Sequence, residues 1–135
     1  MSNVVLLDSS VLIANLRTGC FSDRIAALAG RLRMSSVVRA ELLRGALSAA
    51  DRKIVAGLPG SHLLLTPTEK NWVESGEILA DIQRDKGYDK KKIRDLHFDV
   101  LIALTARARG ARLITSNRAD FALICGYREF KLEVW

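Results

Sequence analysis

The sequence predicts an α/β domain built on a parallel sheet. Short apolar runs alternate with longer segments of helical periodicity, which is the pattern of parallel strands covered by helices. Residues 100–106 are apolar nearly all round, which predicts a helix buried inside the fold. The chain has 135 residues, 49% of them hydrophobic, which is enough for one core and too little for two. We therefore expect a single domain over residues 1–135.

Each element follows from a local pattern. The predicted strands are the apolar runs 4–7, 34–37, 62–65, 112–115 and 130–134. Helical patterns cover 10–17, 22–30, 38–50, 51–58 and 95–109, and Thr68 is a candidate N-cap for a further helix that ends near Lys86. Gly110 is expected to end the helix before it. The polar run 85–92 predicts a loop, as does the polar segment 115–120 after the fourth strand.

The charge balance indicates the class of partner. Lys and Arg total 21 against 15 Asp and Glu, a net charge of +6, which favours a polyanion such as nucleic acid. The apolar run at 4–7 is too short for a membrane span or a secretory core. We therefore expect a cytoplasmic protein without a membrane partner. Cys20 and Cys125 lack metal-binding or disulfide spacing, and we expect both to be small buried side chains.

Four acidic residues stand where a simple core does not require them. Asp8 directly follows the first predicted strand, and Asp120 lies in the segment after the fourth. Ligands of parallel sheets gather at the carboxyl ends of strands, beside the point where strand order reverses. Glu41 and Asp99 lie on predicted helices that flank the sheet. Asp8 or Asp99 alone could be a turn, cap or helix-terminus residue, but the four together could converge on one pocket.

Such a cluster predicts a metal-dependent reaction on phosphodiesters. Carboxylates a few ångströms apart raise each other's pKa values and usually hold a cation. Oxygen ligands without His or Cys favour Mg²⁺ or Mn²⁺, and a divalent ion can activate water and stabilise charge on a scissile phosphate. The chain lacks dinucleotide, P-loop and Gly-x-Ser-x-Gly motifs. Ser10 stands where an aspartyl phosphatase would need a second aspartate.

Four motifs resemble, in order and spacing, those of the PIN-domain ribonucleases. They begin at Asp8 (Asp-Ser-Ser-Val-Leu-Ile), at Ser35 (Ser-Ser-Val-Val-Arg-Ala-Glu-Leu), at Asp99 (Asp-Val-Leu-Ile-Ala) and at Thr115 (Thr-Ser-Asn-Arg-Ala-Asp-Phe). The chain length and the bare single domain resemble the VapC toxins of toxin–antitoxin pairs. The resemblance implies a three-layer α/β/α sandwich with strand order 3-2-1-4-5, metal-dependent hydrolysis of RNA, a homodimer, and an antitoxin whose C-terminal tail lies over the active site.

The resemblance also implies roles for individual residues. It makes Asp8, Glu41 and Asp99 the main carboxylates around Mg²⁺ or Mn²⁺, with Asp120 completing the site directly or through water. It gives a supporting role to the polar side chains of Ser10, Thr115 and Asn117. Ser9 departs from the family pattern, in which Thr is more usual, but keeps the hydroxyl.

Basic residues near these motifs allow two interpretations. Arg118 lies between two motif positions, and Lys91 and Lys92 belong to the densest basic run of the chain. They form either a phosphate-binding rim or a merely solvated surface. Asp95 could be an extra outer ligand, but we expect it to be a solvated partner of Lys91 or Lys92. The alternative for the whole chain is a catalytically inactive PIN-like domain that binds nucleic acid or forms a complex.

Overall fold

The computed structural model describes residues 3–135; Met1 and Ser2, which the predicted domain includes, lie outside the described residues. The elements in chain order are β1 (Val4–Leu7), α1 (Ser9–Thr18), α2 (Ser22–Ala26), β2 (Arg31–Ser35), α3 (Ser36–Arg44), α4 (Ala49–Ala56), β3 (Leu64–Leu65), α5 (Glu69–Lys86), α6 (Lys90–Arg109), β4 (Arg112–Thr115), α7 (Arg118–Cys125) and β5 (Lys131–Val134).

The strands form a parallel five-stranded sheet in the order β3-β2-β1-β4-β5, which confirms the expected order. The order in which the strands are added to the sheet therefore reverses between β1 and β4. At this point Leu6 pairs with Leu113 and Leu7 with Ile114. These residues are buried, as expected of a parallel sheet whose two faces are both covered. Because crossovers between parallel strands are right-handed as a rule, a strand order that reverses between β1 and β4 places helices on both faces of the sheet, giving the expected three layers.

The middle of helix α6 is fully buried. Every residue from 100 to 106 is at most 1% exposed, and the helix packs along α5. Gly110 follows it with a left-handed φ of 61°, a conformation that glycine adopts without strain. The apolar run therefore predicted a buried helix correctly, and this helix carries Asp99 to the sheet.

Helix caps account for two differences from the predicted boundaries. The second strand is Arg31–Ser35 rather than 34–37, because the Ser35 hydroxyl accepts a hydrogen bond from Val37 N (3.1 Å) and starts α3. The polar run 85–92 is not one loop: Asp89 caps α6 by accepting from Lys92 N (2.8 Å), so that helix begins at Lys90. Side-chain caps override the loop preference of such polar runs.

Two further expectations meet different outcomes. The segment 115–120 is only partly a loop, because Asn117 caps α7 and Asp120 lies in its first turn. Cys20 is exposed, contrary to expectation, and Cys125 is half-buried. Over residues 3–135 no helix is both long and apolar enough to cross a membrane.

Candidate active site

Asp8 lies at the point where the sheet reverses. Its backbone N–H donates to Ile114 O on β4 (2.8 Å), which extends the β1–β4 pairing by one residue. The backbone at Asp8 is extended and forms the N-cap of α1, but the side chain makes no capping hydrogen bond. The residue is only 3% exposed. Capping therefore does not explain the buried carboxylate of Asp8.

Two hydroxyl groups hold one oxygen of this carboxylate. Ser10 Oγ and Thr115 Oγ1 donate to Asp8 Oδ2 at 2.8 and 2.9 Å. Each hydroxyl in turn accepts a backbone N–H, from Ser116 (3.1 Å) and Asn117 (2.9 Å) respectively. Because a carboxylate only accepts hydrogen bonds, both hydroxyl groups act as donors to it, and the two hydroxyl oxygens also lie 3.2 Å from each other. In the described part of the chain the other oxygen, Oδ1, is buried without a hydrogen-bond partner.

Asp120 is connected to this network through Asn117, and both of its carboxylate oxygens accept hydrogen bonds. Asn117 Nδ2 donates to Oδ2 (3.1 Å), while Lys92 Nζ from α6 donates to Oδ1 (3.0 Å). Asn117 also caps α7 through its Oδ1, which accepts from Asp120 N (3.4 Å). The hydrogen bond to Asp120 raises the pKa of Lys92, so this ammonium stays charged. Asn117 thus connects the hydroxyl network to the fourth carboxylate.

Glu41 approaches from α3. The side chain is half-buried, and among residues 3–135 nothing hydrogen-bonds its buried Oε1. Burial raises the pKa of Glu41 above its usual range, and the charge of Asp8 raises it further. A hydrogen bond from Ser9 and the charge of Arg44 offset part of this rise. Glu41 therefore presents a second buried carboxylate oxygen without a partner.

Asp99 has the most perturbed acidity of the four. Burial, followed by the negative charges of Asp8, Glu41 and Asp120, raises its pKa from 3.8 to about 8; the ammonium of Lys92 acts in the opposite direction. Charges shift each other's pKa in this way only over short distances. The four carboxylates predicted from separate elements therefore lie in one electrostatic cluster.

The donor set of this cluster fits a divalent cation. The four acids supply oxygen only, as Mg²⁺ and Mn²⁺ prefer. The partnerless Asp8 Oδ1 and Glu41 Oε1, together with the raised pKa of Asp99, are what an acidic metal site shows without its cation. Within the described residues, however, no three His, Cys, Asp or Glu side chains are already close enough to hold one ion. Shared coordination would therefore require the carboxylates to turn towards the ion.

The remaining predicted site residues lie around this cluster. Arg118 is exposed at the first position of α7. Lys91 points away from Asp120 to pair with Asp95 one turn along α6 (3.0 Å), which confirms the expected solvated pair. The structure thus brings Lys92 to the carboxylates but engages Lys91 elsewhere.

Sequence reasoning missed two contacts. The ion pair between Lys92 and Asp120 was hidden because the basic run was expected to be a loop, whereas a helix beginning at Lys90 puts Lys92 seven residues before Asp99, on the same face. The contact of Ser9 with Glu41 joins α1 to α3. The sequence shows that Ser9 carries a hydroxyl group, but nothing in the spacing of the two segments predicts that Ser9 meets Glu41.

Comparisons with known proteins give the family. The PIN-domain profile matches residues 5–126, nearly the whole chain. No curated protein sequence is significantly similar to it. The chain is similar to one in the crystal structure of DNA-bound VapBC from Salmonella typhimurium, with 25% identity and a TM-score of 0.75 over 100% of this chain and 99% of that chain.

Two other solved structures have the same fold. They are VapBC-1 from nontypeable Haemophilus influenzae and VapBC2 from Rickettsia felis bound to a promoter DNA fragment. Each matches with 22% identity and a TM-score of 0.72 over 98% of both chains. Both the sequence profile and the complete fold therefore lead to the same assignment: the chain belongs to the PIN-domain family and is similar to the VapC-like toxins within it.

Proposed function

We propose that this chain is a metal-dependent endoribonuclease and the toxin of a toxin–antitoxin pair. The observation that carries the proposal is the cluster of Asp8, Glu41, Asp99 and Asp120, in which two buried oxygens lack partners and one pKa is raised to about 8. So much unneutralised charge at the reversal point of a parallel sheet is costly unless a cation binds there. The PIN-domain profile supports a nuclease.

The proposed metal ligands are Asp8, Glu41, Asp99 and Asp120, and the proposed metal is Mg²⁺ or Mn²⁺. A bound divalent ion would lower the pKa of a water molecule and stabilise charge on the scissile phosphate. Ser10 and Thr115 orient Asp8 by holding Oδ2, which leaves Oδ1 free. Asn117 orients Asp120 in the same way. These polar groups act on the ligands rather than on RNA.

The proposed substrate is RNA, attracted by the charge outside the cluster. With the four cluster acids set aside, 21 basic residues face 11 acidic ones, a net charge of +10. Exposed Arg118 and Lys92, which contacts Asp120, are proposed to form a basic rim beside the carboxylates. Lys91 would join this rim only by leaving its pair with Asp95. Such a rim neutralises phosphates without reading sequence. Binding should therefore weaken steeply with salt.

The proposed partner is an antitoxin that covers the acidic cluster. A cleft of about 410 Å³ between α1, α3 and α4 opens beside Glu41. Its lining includes Leu16 and Ile54, which are 48% and 51% exposed. An amphipathic segment with a basic residue at its end would bury these side chains and reach the carboxylates. Such a pair would function in the cytoplasm.

We propose a single domain over residues 1–135 that forms a homodimer. Trp72 and Val73 on α5 are 51% and 65% exposed, and Phe98 on α6 is 36% exposed. The exposed Trp72 ring of α5 packs against His97 of α6 in a T-shaped arrangement, which leaves an apolar surface where these two helices meet. Surfaces of this kind mark protein contacts. Sedimentation of the purified chain would measure its oligomeric state.

Cleavage of RNA by the purified chain tests the proposed activity. RNA is incubated with the protein in Mg²⁺ or Mn²⁺, in the presence of EDTA, and with the Asp99→Asn variant. We expect cleavage with either metal, and none with EDTA or with the variant. RNA that remains intact under every metal condition would exclude the nuclease.

One observation favours the alternative of an inactive domain. In the part of the chain that the structure describes, no three acidic, His or Cys side chains stand ready to share an ion. If this arrangement persisted in solution, the domain would bind nucleic acid or a partner without cutting. Intact RNA together with retained RNA binding would identify this case.

A further inference from the structure

The ammonium group of Lys92 neutralises part of the negative charge of the carboxylate cluster, as a metal ion would. Its Nζ lies 3.0 Å from Asp120 Oδ1, and the pair is partly shielded from water, with side-chain exposures of 41% and 24%. Asp99, two turns later on α6, also interacts with this ammonium. One flexible cation therefore offsets two of the four carboxylates in the cluster.

The four carboxylates differ in how far they are already occupied. Both oxygens of Asp120 accept hydrogen bonds, from Asn117 and from Lys92. Asp8 and Glu41, by contrast, each keep a buried oxygen that none of the described residues contacts. One oxygen each of Asp8 and Glu41 is therefore available to a metal ion, whereas the ammonium group of Lys92 already occupies an oxygen of Asp120.

A divalent cation and this ammonium compete for the same charge. Like charges a few ångströms apart repel strongly away from bulk water. Asn117 fixes the Asp120 backbone and one of its oxygens, so Asp120 cannot move far to serve both cations. The lysine stem has four rotatable methylene groups, which allow its ammonium to leave.

We propose that Lys92 is a positioning residue that competes with the divalent metal for Asp120 and is displaced when the metal binds. The released ammonium then joins the basic rim beside Arg118, where phosphates arrive. The inference rests on the proposed metal site, because the competition requires a metal at Asp120. Lys92 therefore has two successive partners, first Asp120 and then the substrate phosphate.

Titration of the full chain with Mn²⁺, followed by calorimetry or by the spectrum of free Mn²⁺, tests the competition without measuring activity. Lys92→Gln should bind Mn²⁺ about two- to fivefold more tightly than the wild type, the range expected for losing a partly exposed ion pair. The matched control is Lys91→Gln, which removes the same charge one residue away from an exposed pair with Asp95. It should change the affinity by less than about twofold because solvent and salt screen that charge.

A second background separates competition from general repulsion. In Asp120→Asn the competed carboxylate is gone, so adding Lys92→Gln should tighten Mn²⁺ binding much less than it does in the wild type, because only the weaker interaction with Asp99 remains. Equal tightening in both backgrounds, or equal tightening by Lys91→Gln, would overturn the proposal. Unchanged or weaker binding by Lys92→Gln would overturn it as well. Circular dichroism confirms that each variant is folded.

The outcomes also distinguish this inference from the proposed function. If the wild type cleaves RNA with Mn²⁺ but Lys92→Gln binds Mn²⁺ no more tightly, only the competition is wrong. If neither the wild type nor any variant binds Mn²⁺, the metal site and the competition are both wrong. As a further readout, Lys92→Gln should raise the KM for RNA more than it lowers kcat, because it removes a phosphate contact.

Discussion

Acidic side chains on the outer faces of α5 and α6 differ from those at the carboxyl edge of the sheet in what surrounds them. On the outer faces, acids stand beside bases. Arg84 pairs with Asp81 (3.1 Å) and Asp85 (3.2 Å), and Lys91 pairs with Asp95 (3.0 Å). All five side chains are well exposed, so water screens what the bases do not neutralise.

At the carboxyl edge of the sheet, acids face acids. Asp8 and Asp120 lie close enough to Asp99 to raise its pKa, and Asp8 also raises that of Glu41. Lys92 engages Asp120, while Asp8 is held by neutral hydroxyl groups. The local excess of negative charge sits on a chain whose net charge is +6.

The difference shows that composition alone does not locate charge. Exposed acidic side chains are tolerated anywhere on a basic chain, because nearby basic side chains balance their charge and water screens it. Buried acids that repel one another lower stability, and they are retained where a function needs them. The substitutions below test whether the two groups of acids respond as oppositely as their surroundings predict.

The largest expected effect is on cleavage. Asp99→Asn should reduce kcat/KM for RNA by about 100-fold or more, as the loss of a group that holds charge at the reacting centre does. The matched control is Asp95→Asn, one turn earlier on the same helix, which loses only a solvated partner of Lys91. Equal losses of kcat/KM in both variants would show that the substitutions act by disturbing helix α6 rather than by removing a group from the site.

The next effect is on the stability of the metal-free protein as pH changes. Because the folded-state pKa of Asp99 is about 8 and its usual value is 3.8, the folded state holds the proton more tightly than the unfolded state. The stabilising contribution of Asp99 is therefore fully present below pH 3.8 and is lost as pH rises through 8. The expected slope is at most about 1.4 kcal/mol per pH unit.

Denaturant unfolding in EDTA measures this slope. Asp99→Asn should flatten the fall in unfolding free energy between pH 4 and 8, and near pH 8 it should be more stable than the wild type. Mn²⁺ should restore wild-type stability at pH 8, because metal binding replaces the proton. A wild-type stability that rises over this pH range in EDTA would contradict the assignment.

A smaller effect is expected from the hydroxyl groups. Thr115→Val keeps the shape of the side chain but removes the donor to Asp8 Oδ2 and the acceptor of Asn117 N–H. It should cost about 1–3 kcal/mol and should lower activity by about 10- to 100-fold, as other changes beside metal ligands do.

Thr105→Val is the matched control for Thr115→Val. Thr105 is equally buried, but its hydroxyl bonds to Leu101 O inside α6. We expect a similar or smaller loss of stability and unchanged cleavage. A comparable loss of activity in Thr105→Val would show that Thr115 matters only for folding.

The smallest effect is expected on the outer face. Asp95→Asn removes an exposed i,i+4 pair and should lower the unfolding free energy by a few tenths of a kcal/mol at most. In metal-free protein near pH 8 the sign is therefore opposite to that of Asp99→Asn. Stabilisation by both variants would mean that a general excess of negative charge, rather than local crowding, governs the site.

Much of the fold could be predicted because its signals are local. The runs at 4–7 and 112–115 are strands as expected, and the all-round apolar segment at 100–106 is a buried helix. Boundaries set by single hydrogen bonds were missed. Ser35 and Asp89 each begin a helix by accepting one backbone N–H, and no periodicity records such a cap.

For the site, the sequence by itself determined which acids are candidates and which chemistry they suit. Asp8 follows a strand directly, Glu41 and Asp99 interrupt apolar helical segments, and oxygen ligands select Mg²⁺ or Mn²⁺. It also determined the order of the motifs, on which the likeness to the PIN-domain family depends.

Only the tertiary structure decided how these groups are partnered. In the folded chain Ser10 and Thr115 donate hydrogen bonds to Asp8, although Thr115 is 107 residues away in sequence. Asp120 forms an ion pair with Lys92 instead of facing only solvent. The fold also sends Lys91 to Asp95 although Lys91 and Lys92 are neighbours in sequence. The physical reason is geometric: adjacent residues of a helix point about 100° apart, so the rotation of α6 about its axis, fixed by its buried residues 96 and 100–106, determines which lysine meets the carboxylates.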